Sequence, residues 1–193
     1  MASLPATYFD DVYRANEDPW AFATSPYERA KYEATMAALP NERYANAFEI
    51  GCSIGVLSEM LARRCNRLLS VDASELPLQT ARQRLVPYAH VTIGRMSIPA
   101  QFPDDRFDLI MLSEVGYYLV MEDLHRARQR MLDQLEPGGH LLLVHWTPVV
   151  PDYPLTGDQV HEQFMATAGD DWPLIHLLNQ RTDKYRLDLF QKR

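Results

Sequence analysis

Along most of this chain, short apolar runs alternate with segments of helical period, and that alternation limits the fold more than any other feature. Runs rich in Ile, Leu and Val fall at AFEIG (47–51), RLLSVD (67–72), HVTIG (90–94), FDLIMLS (107–113) and HLLLVHW (140–146), with helical stretches between them at 56–65, 74–85 and 121–135. Strands apolar on both faces need a covering layer on each, and a strand–helix–strand rhythm sets successive strands parallel. The expected core is therefore a parallel α/β sheet. Upstream of it, PYERAKYEATMAAL places Tyr27, Ala30, Ala34, Ala37 and Ala38 at three- and four-residue steps from Pro26, until Pro40 and Asn41 stop the helix. Downstream, after a helix read at 156–168, PLIHLLNQR (173–181) and KYRLDLFQK (184–192) flank a Thr-Asp turn. A connection that short joins only antiparallel strands. The expectation is one domain over 1–193, with a helical cap at 1–40 and the sheet core at 41–193.

Composition narrows the partners. A chain of 193 residues, 47% hydrophobic and 23% charged, has the make-up of an ordinary globular domain. Its formal charge of −7 argues against nucleic acid, which is bound mainly through clustered Lys and Arg; RARQRM (126–131), the densest basic stretch, reads as a solvated helix face. No apolar run approaches the roughly 20 residues that span a bilayer. The opening MASLPATYFDD lacks the basic-then-apolar order of a secretory signal, so a cytoplasmic location is expected. Cys52 and Cys65 are expected to be free thiols, and no histidine has a ligand spacing that would build a metal site.

The strongest chemical signal is FEIGCSIG, Phe48 to Gly55, where the first strand ends and the first core helix begins. Gly51 and Gly55 let the chain bend sharply and let a ligand approach backbone N–H groups at a helix N-terminus. A nicotinamide-dinucleotide fingerprint needs glycine at 51, 53 and 56, but Ser53 and Val56 stand there. Asp72, ending the second strand beside Ala73, can accept hydrogen bonds from both hydroxyls of a ribose. It supports an adenosine site without choosing the cofactor.

The E-x-G-x-S-x-G pattern from Glu49 resembles the E/D-x-G-x-G-x-G form of methyltransferases that use S-adenosylmethionine (SAM). The resemblance implies that Glu49 helps hold the amino group of the methionine portion. It also implies an adenine contact at Ser97, flanked by Met96 and Ile98, and a cofactor-facing Ser113 where the fourth strand ends. Parallel strands closed by an antiparallel hairpin belong to the same class: a Rossmann-like class I methyltransferase with seven strands, mostly parallel, and an N-terminal helical cap. More narrowly, EDPWAFATSPYERAKY, EIGCSIG, SVDAS, FDLIMLSEVGYYL and LEPGGHLLLV resemble the NodS-type nodulation N-methyltransferases, from about Asp18 to Trp146. That family implies methylation of the free amine of a deacetylated chitooligosaccharide. The final third, from HWTPVVPDYPL onward, departs most from it.

A neutral amine must lose a proton before it attacks an activated methyl group, so a nearby carboxylate or imidazole is wanted. Glu114, at the end of the fourth strand, His145, at the end of the fifth, and His161, in the following helix, are the candidates. Trp20, Tyr27, Tyr117, Tyr118 and Trp146 can supply flat faces for a sugar or a cationic amine, or simply fill the core. The leading expectation is a small-molecule N-methyltransferase. The alternatives are an O-methyltransferase of a hydroxylated metabolite, an NAD(P)-dependent oxidoreductase, and a non-catalytic nucleotide-binding module.

Overall fold

The computed structural model describes residues 2–193 and contains two compact units, Pro5–Ser97 and Ile98–Arg193, the latter joined by the short stretch up to Leu4. The first unit runs α1 (Ala6–Ala15), α2 (Pro26–Ala38), β1 (Ala47–Ile50), α3 (Val56–Ala62), β2 (Leu68–Asp72), α4 (Glu75–Leu85) and β3 (Val91–Arg95). Its strands lie in the order β3-β2-β1, both pairs parallel, as the crossover helices α3 and α4 require. Local chemistry sets the helix starts. Ser25 accepts the Glu28 N–H ahead of α2, with Pro26 in the first turn, and Ser74 accepts the Leu76 N–H ahead of α4.

Two features of this unit differ from the sequence expectation. Helix α1 carries no start signal, since Pro5 precedes it and no side chain caps it. Helix α3 stops at Ala62 rather than 65, because Cys65 leaves the helix to bridge alongside Tyr44, both fully buried.

The second unit runs β4 (Phe107–Ser113), a 3-10 turn (Gly116–Tyr118), α5 (Met121–Gln134), β5 (Leu135–Trp146), α6 (Gly157–Met165), β6 (Leu174–Arg181) and β7 (Tyr185–Lys192). Here the order is β4-β5-β7-β6. β4 and β5 are parallel, and β7 is antiparallel to both its neighbours. The expected terminal hairpin is present, with Arg181 opposite Arg186. Its second strand lies inside and its first at the edge, so Tyr185–Phe190 are buried whereas β6 alternates. β5 begins at Leu135, before the Pro-Gly-Gly bend, and a register shift between Phe107 and Leu109 absorbs the bend. Helix α6 opens on a reciprocal capping box between Thr156 and Gln159 and ends at Met165, short of 168.

Among the described residues no helix is long and apolar enough to cross a membrane, and no group of three or more His, Cys, Asp or Glu could hold a metal ion. Cys52 and Cys65 are buried and are not in a disulfide.

Candidate functional site

In the first unit the chain leaves β1 and folds over the end of β2, with the Gly51 and Cys52 N–H groups donating to Val71 O at 2.8 and 3.0 Å. Alternate residues then take left-handed backbone: Gly51 (φ 86°), Ser53 (φ 49°) and Gly55 (φ 80°). A Cβ at Gly55 would lie 3.1 Å from Ala81 Cα, so glycine there lets the loop close onto α4. Serine replaces the middle glycine of the resembled pattern, and its strain has a visible compensation. Tyr13 of α1 donates its hydroxyl to Ser53 Oγ at 2.6 Å, while the Ser53 N–H donates to Asp72 Oδ2 at 3.0 Å.

Asp72 is the hub of this unit. Its Oδ1 accepts the Ser74 N–H at 3.0 Å, its backbone carbonyl accepts the Met96 N–H at 2.9 Å, and the Ala73 carbonyl accepts Arg95 Nε at 3.1 Å. The Ser74 hydroxyl in turn donates to Asp10 of α1 at 2.6 Å. Burial pushes the Asp72 carboxyl up to about 6, against the pull of the Ser74, Ser53 and Ala73 N–H groups. Glu49, 1% exposed, accepts the Ser70 hydroxyl at 2.6 Å, and burial raises it to about 7. Met96 stays beside Asp72, Ser97 is half-buried, and Ile98 opens the second unit. Trp20 packs edge-on to Tyr13 and stacks on Phe22, whereas Tyr27 offers its ring to the Lys31 ammonium at 5.4 Å.

In the second unit β4 ends at Ser113, buried, and Glu114 follows in left-handed backbone (φ 57°) with its N–H donating to Val144 O at 2.9 Å. A non-glycine residue there is strained and must be held by its surroundings. Its Oε2 accepts the Tyr117 hydroxyl at 2.6 Å and the Trp146 N–H at 2.9 Å, so three of the expected site residues meet. Tyr117 and Tyr118 are buried edge to face at 4.7 Å. Tyr153, from the loop after β5, stacks on Tyr117 at 5.1 Å and meets Tyr118 edge-on at 4.8 Å.

His145 and His161, the other two expected bases, are each engaged at both ring nitrogens. Both rings are fully buried. His145 Nε2 faces the Gly116 N–H at 3.1 Å and its Nδ1 faces His161 Nε2 at 3.0 Å. His161 Nδ1 faces Asp188 Oδ2 at 2.6 Å. No ring nitrogen is left to receive a proton from an acceptor.

Four residues escaped the sequence reading: Asp10, Tyr13, Tyr153 and Asp188. Tyr153, between Pro151 and Pro154 after the fifth strand, carried the one usable signal, an aromatic in a stiffened loop. The other three acquire their part only through long-range contacts.

With this geometry in hand, likeness to known proteins is informative. A family profile for nodulation protein S (NodS) matches residues 11–146. Nodulation protein S from Rhizobium tropici is 33% identical over 130 residues, covering 66% of this chain and 55% of that protein; its counterpart from Bradyrhizobium diazoefficiens is 32% identical, covering 66% and 62%. The chain thus spans little more than half the length of the curated relatives it matches. A solved structure from Pseudomonas syringae is 38% identical with a TM-score of 0.75, covering 86% of this chain and 99% of that one. The crystal structure of the N-methyltransferase NodS from Bradyrhizobium japonicum WM9, in complex with S-adenosyl-L-homocysteine, is 25% identical with a TM-score of 0.84, covering 97% of each chain. The chain belongs to the nodulation protein S family, and its seven strands, closed by an antiparallel hairpin, have the Rossmann-like fold of the SAM-dependent methyltransferases.

Proposed function

We propose that this chain is a SAM-dependent methyltransferase whose acceptor is the amine of a small molecule, an amino sugar of the deacetylated chitooligosaccharide kind being favoured. The observation that carries the acceptor reading is the setting of Glu114: a carboxylate on a strained turn, fixed by Tyr117 and Trp146, next to the ring cluster of Tyr117, Tyr118 and Tyr153. A carboxylate among aromatic faces suits an ammonium ion far better than a neutral phenol.

The cofactor fits the first unit's own residues. The Asp72 carboxylate, held by backbone N–H groups at both oxygens, is placed to accept from a ribose hydroxyl as well. The left-handed loop at 51–55 lets a ligand approach the backbone, and Glu49 supplies a buried anion for the methionine amino group. Met96, whose N–H is held by the Asp72 carbonyl, offers the adenine an apolar wall, with Ser97 beside it. When bound, SAM supplies a methyl group made electrophilic by its positive sulfur.

The protein's tasks are alignment, exclusion of water and one proton. Alignment is worth several kcal/mol, about 7 at the low end for well-oriented reactants. The ammonium form of the acceptor gives a proton to Glu114, and the freed lone pair is then available to form the new C–N bond. A normal turnover after Glu114→Gln would remove Glu114 from that role. The expected result is a fall of about 100-fold with binding of S-adenosylhomocysteine within about threefold. The acceptor is tested by incubating the chain with methyl-labelled SAM and a panel of glucosamine oligomers, small amines and phenols, and locating the label by mass. Label on a phenolic oxygen alone would give the site to O-methylation instead.

A further inference from the structure

The second unit contains a buried chain of polar groups whose direction the geometry fixes from both ends. The Gly116 N–H can only donate, so His145 Nε2 accepts and carries no proton. The His145 proton is then on Nδ1, and His161 Nε2 must accept it. The His161 proton is therefore on Nδ1, donated to Asp188 Oδ2, a carboxylate oxygen that can only accept. Both rings are neutral in this arrangement, consistent with burial holding the His161 ring below the usual imidazole range.

The far end is braced. Asp188, fully buried, also accepts from Arg186 Nε at 2.6 Å, from His176 Nε2 at 2.7 Å and from the Asn179 amide at 2.9 Å, while Arg186 reaches Glu162 of α6 at 2.7 Å.

The near end is packed equally closely. A Cβ on Gly116 would stand 2.5 Å from Val160 Cγ1 and 3.0 Å from His145 Nε2; one on Gly157 would stand 2.2 Å from Trp146 O and 3.1 Å from His145 Cβ. Two glycines thus let the 3-10 turn and the start of α6 close on the His145 ring. The turn so gripped begins two residues after Glu114 and contains Tyr117, which holds the Glu114 carboxylate.

We propose that His145, His161 and Asp188 are positioning residues, a one-way hydrogen-bond chain that pins the Gly116 turn and through it the orientation of the Glu114 carboxylate. This rests on the reading of Glu114 as the proton acceptor, and the tests separate the two. In the full chain labelled with ¹⁵N at its histidine rings, the nitrogen spectrum should show both His145 and His161 protonated at Nδ1 and bare at Nε2, with no change between pH 6 and 8. A proton on Nε2 of either ring overturns the relay.

Two substitutions of similar volume then separate polarity from packing. In His161→Gln the amide oxygen can take the His145 N–H while its NH₂ donates to Asp188. His161→Met can do neither. With a glucosamine tetramer as acceptor, His161→Gln should keep kcat within about threefold of the parent. His161→Met should lower kcat at least tenfold and speed exchange of the Gly116 amide at least tenfold, with the affinity for S-adenosylhomocysteine within threefold. Equal losses in the two variants, or an unchanged Gly116 amide in His161→Met, would reduce the chain to packing and overturn the proposal. Should His161→Met fail to fold, the parent's nitrogen spectrum and the His161→Gln kinetics still decide. A normal turnover for Glu114→Gln would discard the proton-acceptor reading while the ring spectra continued to report on the relay.

Discussion

The two units bury carboxylates in opposite ways. In the first, the buried Glu49 and the half-buried Asp72 have, among the described residues of the unit, hydroxyl and backbone N–H partners, and desolvation raises them to about 7 and about 6. In the second, burial alone would raise Asp188 too, but His161, Asn179 and Arg186 outweigh it and hold the carboxyl down at about 2. The contrast is the one expected between the proposed ligand site and a scaffold. A buried charge with cationic partners of its own has nothing further to bind, while one held only by neutral donors is stabilised when a cation or a pair of hydroxyls arrives.

The two cases have opposite consequences for stability against pH. Glu49 and Asp72 bind protons more tightly in the folded chain than their ordinary values of 4.5 and 3.8 allow, so stability falls as pH rises through the window up to about 7. Asp188 is held below its ordinary 3.8, so its contribution is complete above that value and is lost as pH falls toward about 2.

The largest effect that would break the comparison is on folding. Asp188→Ala leaves Arg186 and the His161 N–H without their carboxylate, and about 3–5 kcal/mol of stability should vanish, read from urea unfolding. A loss under 1 kcal/mol would deny Asp188 its structural part. Next, Asp72→Ala should weaken S-adenosylhomocysteine about 100-fold by calorimetry, or ~2.7 kcal/mol, the worth of one or two charge-assisted hydrogen bonds. Its unfolding midpoint at pH 8 should be unchanged or higher; a drop as large as that of Asp188→Ala would erase the distinction between the units. The smallest effect sharpens it. Bound ligand favours the ionised forms of Glu49 and Asp72, so the affinity for S-adenosylhomocysteine should rise at least about tenfold from pH 5.5 to 8 and then level off. An affinity that falls over that range would mean the two carboxyls bind in their protonated forms.

Much of this architecture could be read from the residues. The strand runs, the crossover helices and the terminal hairpin were visible because each is a local pattern of period and turn length. The bend at Gly51 and Gly55 was visible because glycines at a strand-to-helix turn are a local signal. Helix α1 was not, for Pro5 supplies no capping side chain. Consequently the two α1 contacts, Tyr13 on Ser53 of the loop after β1 and Asp10 on Ser74 at the start of α4, were hidden as well. The histidines were visible, but their contacts with each other were not. His145 and His161 are 16 residues apart, and nothing in their neighbours shows that α6 folds back to set one ring against the other or that Asp188 awaits at the end.

What the sequence determined by itself is the class of fold and the family, because hydrophobic period, turn length and glycine placement act over a few residues and need no partner. What only the tertiary structure decided is which polar groups are satisfied. The carboxylates of Glu49 in β1 and Asp188 in β7 look alike in the chain, and whether a cationic neighbour stands beside each is a matter of residues brought together from distant positions.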